Sequence, residues 1–455
     1  KTYLSLYLIL LTAEMLKEHY IQLENNMIGK EIYDLAKKLW PLNRSLTGDG
    51  VRDTLNILKE YIPELSIYEV PSGTKVFDWV IPKEWRIKDA YIITPDGDKI
   101  CDFKQNNLHV VGYSIPINKS LSLTELNNHL YSIPEQPDAI PYITSYYKEH
   151  WGFCITQEQR NLLHEGQYDV VIDSELFDGS LTYGEYLLPG ESTEEIFIST
   201  YICHPSMANN ELSGPTVATF LARELSKLPR RKYSYRFVFI PETIGSITYL
   251  SKNIETLKKN VIAGFNVTCI GDNRDYSYLP SRNGNTISDK VALHVLKNLC
   301  STFKKYTWLD RGSDERQYCS PGVDLPIATI MRTKYGMYKE YHTSLDKLDT
   351  VVTAEGLEGG FNALWKACET LEKNLYIKTN VICEPQLGKR GLYPTLSTKS
   401  SGQQVRLMMN LISLADGSKH LLDIAEICDV PIWELYHILD KLVENNILKT
   451  SATPF

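Results

Sequence analysis

Apolar residues recur at helical spacing over 29–61: Ile32, Leu35, Ala36 and Leu39, then Leu55, Ile57, Leu58 and Tyr61. That period predicts helices, interrupted at 41–48 by the loop-forming run Pro-Leu-Asn-Arg-Ser-Leu-Thr-Gly. Residues 65–70 alternate apolar and polar, as a half-buried strand does. From 71 to about 160 the texture changes to short apolar runs between turn residues, with Asp96-Gly97 as a hairpin signal. This stretch reads as a β-rich insert, and a further β-rich run returns at 168–173. Strand-like apolar runs at 195–202, 234–240, 261–270 and 325–331 then alternate with helix-period segments at 215–228, 246–259, 286–304 and 354–373. Such alternation predicts an α/β fold with a doubly wound, mostly parallel sheet. A linker containing Pro385, Gly388, Gly391 and Pro394 follows. Beyond it come three short helical patterns (405–415, 421–428 and 432–445) and a final strand-like run at 447–450.

The implied organisation is a peripheral N-terminal extension at 1–26, a core domain at 27–70 and 161–380, the insert at 71–160, and a helical tail domain at 385–455. A chain of 455 residues is long enough for this and for a large core. The apolar run at 4–12 is far too short to span a membrane, and no membrane partner is expected. Nine cysteines, scattered singly, fit reduced thiols in a cytoplasmic protein better than a disulfide framework. The net charge of −8 argues against nucleic acid as a partner. The last helical pattern adds to this, with Glu434, Asp440 and Glu444 against Lys441. A protein partner or a second copy of the chain, contacted through the tail, is expected instead.

Three polar signatures carry the candidate chemistry. Cys-His-Pro-Ser-Met-Ala-Asn-Asn-Glu-Leu-Ser-Gly at 203–214 follows the first core strand. Pro-Glu-Thr-Ile-Gly-Ser at 241–246 follows the second, and Tyr-His-Thr-Ser-Leu-Asp-Lys-Leu-Asp at 341–349 comes late. Open α/β sheets hold ligands in the loops that leave the carboxyl ends of their strands. In order and context the three signatures resemble the M28-type zinc aminopeptidases. With the insert, the tail and Gly-Ser-Asp-Glu-Arg-Gln-Tyr at 312–318, the chain from about Met27 onward resembles bacterial aminopeptidase-like domain proteins associated with polysaccharide biosynthesis. Those combine an M28-like core, a small β insert and a C-terminal winged helix.

The resemblance implies a metal-dependent hydrolase that cleaves an amide bond of a small peptide or related substrate, with metal-activated water and a glutamate base. It places His204 and His342 as metal ligands and Glu242 as the general base. It also shows departures. Asn210 stands where the family has a bridging aspartate, Thr243 where it has a second glutamate, and Thr268 near its further aspartate. Anionic ligands make a close pair of dications tolerable, so their loss implies one zinc ion. A catalytic zinc takes three protein ligands. The third is expected to be Asp314, with the side-chain oxygen of Asn210 as its competitor and Asn210 otherwise part of the catalytic group. The alternative expectation is an inactive, peptidase-like binding or regulatory protein acting through its winged-helix tail. Asp346 and Asp349 are expected to cap a helix or orient their loop. Arg311, Glu315, Arg316, Tyr318 and Tyr341 are expected to face substrate or solvent.

Overall fold

The computed structural model describes residues 28–392 and 399–455. The expected extension at 1–26 and part of the linker, including Pro394, lie outside the described residues. Two compact units are present: one takes in the residues up to Asp289 together with 304–362, the other 290–303 and 363–455.

The first unit is built on an eight-stranded mixed sheet. Its strands are β1 (Ser66–Pro71), β2 (Ser180–Leu188), β3 (Glu195–Tyr201), β4 (Ser234–Ile240), β5 (Val261–Asn266), β6 (Ser277–Leu279), β7 (Lys304–Lys305) and β8 (Ile327–Met331), in the order β1-β2-β4-β3-β5-β8-β6-β7. Strands β4, β3, β5 and β8 run parallel at its centre. β1 and β2 join antiparallel on one side, and the β6–β7 pair joins antiparallel through β6 on the other. Every residue of β3, β4 and β8 is buried. That is why these runs read as continuous apolar stretches: a parallel sheet covered on both faces leaves no polar side. The four central strands appear where the sequence places them. β2, β6 and β7, which complete the sheet, were not among the runs it picks out.

Four helices matter for the site: α1 (Ile28–Leu39), α2 (Asp49–Lys59), α3 (Ser213–Lys227) and α4 (Ile244–Asn260). α1 buries Ile32, Leu35, Ala36 and Leu39, its predicted stripe. α3 begins after a π-helical turn at Ala208–Leu212, a distortion common at functional sites. Gly214 permits the approach of this helix to the strand ends. A Cβ there would lie 2.4 Å from Thr200 Oγ1 and 2.6 Å from the Val267 carbonyl oxygen.

The insert forms its own four-stranded antiparallel sheet, in the order Lys99–Ile100, Glu84–Ile93, Gln167–Phe177, Ile117–Ser122. Asp96-Gly97 makes the predicted hairpin turn, with Gly97 at φ 91° and the Thr94 amide donating to the Asp98 carbonyl at 2.9 Å. The strand at Gln167–Phe177 belongs to this sheet, beyond the expected insert limit of 160.

The second unit carries the three tail helices, Lys399–Leu414, Leu421–Cys428 and Ile432–Glu444. A three-stranded antiparallel sheet accompanies them, ordered Asp416–His420, Tyr376–Thr379, Leu448–Ser451. Leu411, Ile424, Ile432, Leu435 and Leu442 form its core, whereas Ile427 is 58% exposed. Two of its strands lie in segments that read as linker or turn. Among the described residues, no helix is long and apolar enough to cross a membrane.

Candidate functional site

Parallel pairing of β3 and β4 sets Tyr201 opposite Ile240, so the two chains leave the sheet side by side and bring His204 next to Glu242. His204 Nε2 lies 3.7 Å from Glu242 Oε2. The Glu242 amide donates to Cys203 Sγ at 3.2 Å. Thr243, the next residue, sits at φ 63°, ψ −78°, a costly conformation for a β-branched residue. The 312–318 segment holds it there: the Thr243 amide donates to Asp314 Oδ1 at 2.8 Å, and Arg316 Nη2 donates to Thr243 Oγ1 at 2.8 Å.

The other ring nitrogen of His204 is anchored from below. Nδ1 lies 3.0 Å from Glu211 Oε2, and Glu211 Oε1 pairs with Arg44 Nε at 3.3 Å. Arg44 also donates to the carbonyls of His204 (3.0 Å) and Leu39 (2.7 Å). The side chains of Arg44 and Glu211 have no exposed surface. Burial pushes the Glu211 carboxyl up, to about 8, against the pull of Arg44. A guanidinium does not deprotonate, so the ionised carboxylate is the partner that balances it. An acceptor on Nδ1 fixes that nitrogen as the donor, which leaves Nε2 free to bind a ligand.

His342 completes the pair. Its ring centroid is 5.7 Å from that of His204, and it stacks on Tyr341 at 3.9 Å. Burial lowers both imidazoles to about 3, helped by Arg44 at His204 and by His204 at His342. Both are neutral, the form a metal ligand requires. The insert supplies one wall: the Tyr142 ring lies 5.2 Å from both histidines, and its amide donates to the His342 carbonyl at 2.9 Å. Tyr142 and Tyr146 hydroxyls meet at 2.8 Å.

Asp346 positions the Asn209-Asn210 turn. Its carboxylate accepts from the Asn209 amide at 2.8 Å, the Asn210 amide at 3.0 Å and the Tyr338 hydroxyl at 3.0 Å. The Asn210 side chain is buried, and neither its Oδ1 nor its Nδ2 has a hydrogen-bond partner. Asp314 is fully buried; Oδ1 takes the Thr243 amide and the Ser246 hydroxyl, while Oδ2 has no partner. Burial pushes Glu242 to about 8, with the Asp314 charge adding to it, and Asp314 to about 6 against the donors that bind it. The Glu242 side chain retains 22% exposure, so it is reachable by solvent.

Neutral imidazoles and the buried oxygens without partners, Asn210 Oδ1 and Asp314 Oδ2, are ligand types that suit zinc, but among the described residues the ligand atoms of His204, His342 and Asp314 do not all lie within 4.8 Å of one another. The group that does meet that distance is Cys203, His204 and Glu211, whose potential ligand atoms lie within 4.8 Å of one another among the described residues. Burial pushes the Cys203 thiol well up, and thiols bind metal as thiolates. That group overlaps the contact by which Glu211 supports His204 Nδ1.

The remaining expectations divide. Thr268 Oγ1 lies 2.6 Å from the Tyr201 hydroxyl and donates to the Asn210 carbonyl at 3.4 Å. Glu315 is wholly taken up inside the protein, accepting from the Gly312 and Ser313 amides, the Tyr335 hydroxyl and Asn266 Nδ2. Tyr318 is buried with its hydroxyl 2.7 Å from Ser199 Oγ. Arg311 covers the Trp308 ring, Tyr341 braces His342, and Asp349 accepts from the Tyr33 hydroxyl. Arg44 and Tyr142 were missed because each lies more than 60 residues from the His204 loop in sequence. Glu211 stood within the quoted loop; an acid seven residues after a histidine was the available signal.

The comparisons with known proteins agree with this architecture. The family model described as a domain of unknown function (DUF4910) matches residues 33–374, and a winged helix-turn-helix model matches 374–450. A Clostridium acetobutylicum protein, named for polysaccharide biosynthesis and an aminopeptidase-like domain, is 46% identical over 94% of this chain and 98% of its own length. A crystal structure described as a peptidase from that organism superposes with a TM-score of 0.90 at 45% identity, covering 96% of this chain and all of that one. The Bacillus subtilis zinc aminopeptidase (TM-score 0.56, 12% identity, 75% and 94% covered) and an M28 peptidase precursor from Shewanella amazonensis (0.55, 13%, 82% and 98%) share the fold. On the extent of these matches, the chain belongs to the DUF4910 family, with an aminopeptidase-like core and a C-terminal winged helix-turn-helix domain.

Proposed function

We propose that this chain is a metal-dependent hydrolase that cleaves an amide bond in an aminopeptidase-like manner. The observation that carries the reading is the pairing of two neutral histidines, His204 buried and His342 half-buried, with a partly exposed glutamate at the carboxyl edge of the sheet. His204 and His342 would hold one zinc ion, with Asp314 or Asn210 supplying the oxygen ligand. When bound, the metal supplies Lewis-acid polarisation of the scissile carbonyl. Glu242 takes a proton from the attacking water and delivers it to the leaving amine, so one water is consumed and an acid and an amine are released. Glu211 and Arg44 keep Nε2 of His204 turned to the site. Tyr142 and Tyr341 exclude water on either side of the histidines.

A single ion is favoured by what fills the second position. Thr268 is engaged by Tyr201 and by the Asn210 backbone, and the Thr243 hydroxyl accepts from Arg316. A guanidinium there repels a second dication.

The test combines elemental analysis with a screen of aminoacyl and acyl amides. One zinc per chain is expected, reduced in His204→Ala and His342→Ala. Glu242→Gln should retain the metal and lose about 10²–10⁴-fold in rate. Two equivalents of metal would refute the single-ion reading. Full activity in Glu242→Gln would remove Glu242 from the mechanism. A metal-loaded protein that cleaves nothing in the screen would favour the binding or regulatory reading.

A further inference from the structure

Arg316 lies beside Thr243 with no hydrogen bond to an acid. Its Nε donates to the Ser313 carbonyl at 3.0 Å and Nη2 to Thr243 Oγ1 at 2.8 Å. Both acceptors are neutral, and Arg316 forms no ion pair among the described residues. The guanidinium carries five N–H groups, so these two bonds fix its plane and leave Nη1 and half of Nη2 uncommitted. Its charge is felt by Glu242, Asp314 and Tyr341, each of which it lowers. Of the nearby acids, Asp314 Oδ1 is bonded to Thr243 and Ser246 and Glu315 to the Gly312–Ser313 turn and Tyr335, while Asp314 Oδ2 has no partner and Glu242 feels Arg316 through space. A partly buried arginine whose hydrogen bonds go only to neutral oxygens, with Glu242 and Asp314 acting on it at longer range, keeps N–H groups that a further carboxylate can take up.

Resting on the hydrolase reading above, we infer that Arg316 binds a carboxylate of the substrate, so that the amide cleaved belongs to an acidic molecule. The free N–H groups match the two oxygens of a carboxylate, the bidentate geometry in which arginine surpasses lysine. Thr243 couples this contact to the chemistry. It follows Glu242 directly, and its strained backbone is held by Asp314 and Arg316 together. A substrate carboxylate on Arg316 would therefore sit one residue from the base. Arg316 is a specificity residue in this scheme: it touches the substrate away from the bond that breaks.

The test is a binding measurement that needs no turnover. Glu242→Gln protein, loaded with zinc and separately stripped of metal, is titrated calorimetrically with succinate, with neutral succinamide and with inorganic phosphate. Saturable succinate binding is expected in both forms, with no binding of succinamide. Arg316→Met should weaken succinate by at least about tenfold, and Arg316→Lys should restore part of that, because a charged hydrogen bond is lost and half regained. Far-ultraviolet dichroism and metal content of both variants should match the parent. Succinate that binds only with zinc, or equally well to Arg316→Met, would place the anion on the metal and overturn the assignment. Preference for phosphate or for succinamide would overturn the carboxylate class. None of these results depends on whether the protein hydrolyses an amide.

Discussion

The buried pair beneath His204 gives the sharpest test of how the site is held. Arg44 Nε and Glu211 Oε1 lie 3.3 Å apart with neither side chain exposed. At an effective dielectric constant near 20, their attraction is about 5 kcal/mol. Desolvation of both groups offsets most of it, so the net worth of the pair is small. Removing one member is different, because the survivor remains buried and unpaired, at about 3–5 kcal/mol. Arg44→Met also strips the donors from the His204 and Leu39 carbonyls. Glu211→Gln leaves the guanidinium without its counter-charge. Each single change should therefore cost about 3–5 kcal/mol, and the double change should cost less than the sum by about 1.5–3 kcal/mol. The two structural units need not unfold together, so a global melting curve is a poor readout. Hydrogen exchange of the β3 and β4 amides reports the opening of the core itself. Single-variant penalties that add to within about 0.5 kcal/mol would show that Arg44 and Glu211 do not act as a pair. The account of how His204 keeps its tautomer would then fail.

Further outcomes follow from neighbouring contacts. Asp346→Ala removes the acceptor of two buried amides and a tyrosine hydroxyl; at about 1–3 kcal/mol for each buried donor left unpaired, the core should lose about 3–9 kcal/mol, read by hydrogen exchange of the β3 and β4 amides. Asp346→Asn should lose less. Gly214→Ala should destabilise by at least about 1–3 kcal/mol, since the added Cβ meets Thr200 Oγ1 and a backbone carbonyl; unchanged hydrogen exchange of the β3 and β4 amides would contradict the packing. The tail's last helix exposes Glu434, Asp440 and Glu444 against Lys441, so mobility-shift titrations across salt should show no sequence-selective binding of duplex DNA by the full chain. Tight, salt-sensitive binding would assign the winged helix to nucleic acid.

The sequence alone determined a good deal. Long apolar runs with no polar alternation can be strands only where both faces are covered, and β3, β4, β5 and β8 appear where such runs stand. Helical periods placed α1, α3 and α4, and Asp96-Gly97 placed a turn, because these signals are local: a few consecutive residues contain the whole pattern. The motifs also brought forward His204, Glu242 and His342, which the fold gathers at one edge. Only the tertiary structure decided what surrounds them. Arg44 reaches Glu211 across 167 residues, and Tyr142 reaches His342 across 200; no local pattern carries information over such spans. The antiparallel edge strands were obscure for a related reason, since β6 and β7 are two or three residues long and exist by pairing, not by propensity. Thr243 shows the same limit: nothing in Pro-Glu-Thr-Ile-Gly-Ser announces a left-handed threonine. Its conformation is imposed by Asp314 and Arg316, which arrive from some 70 residues away once the sheet has formed.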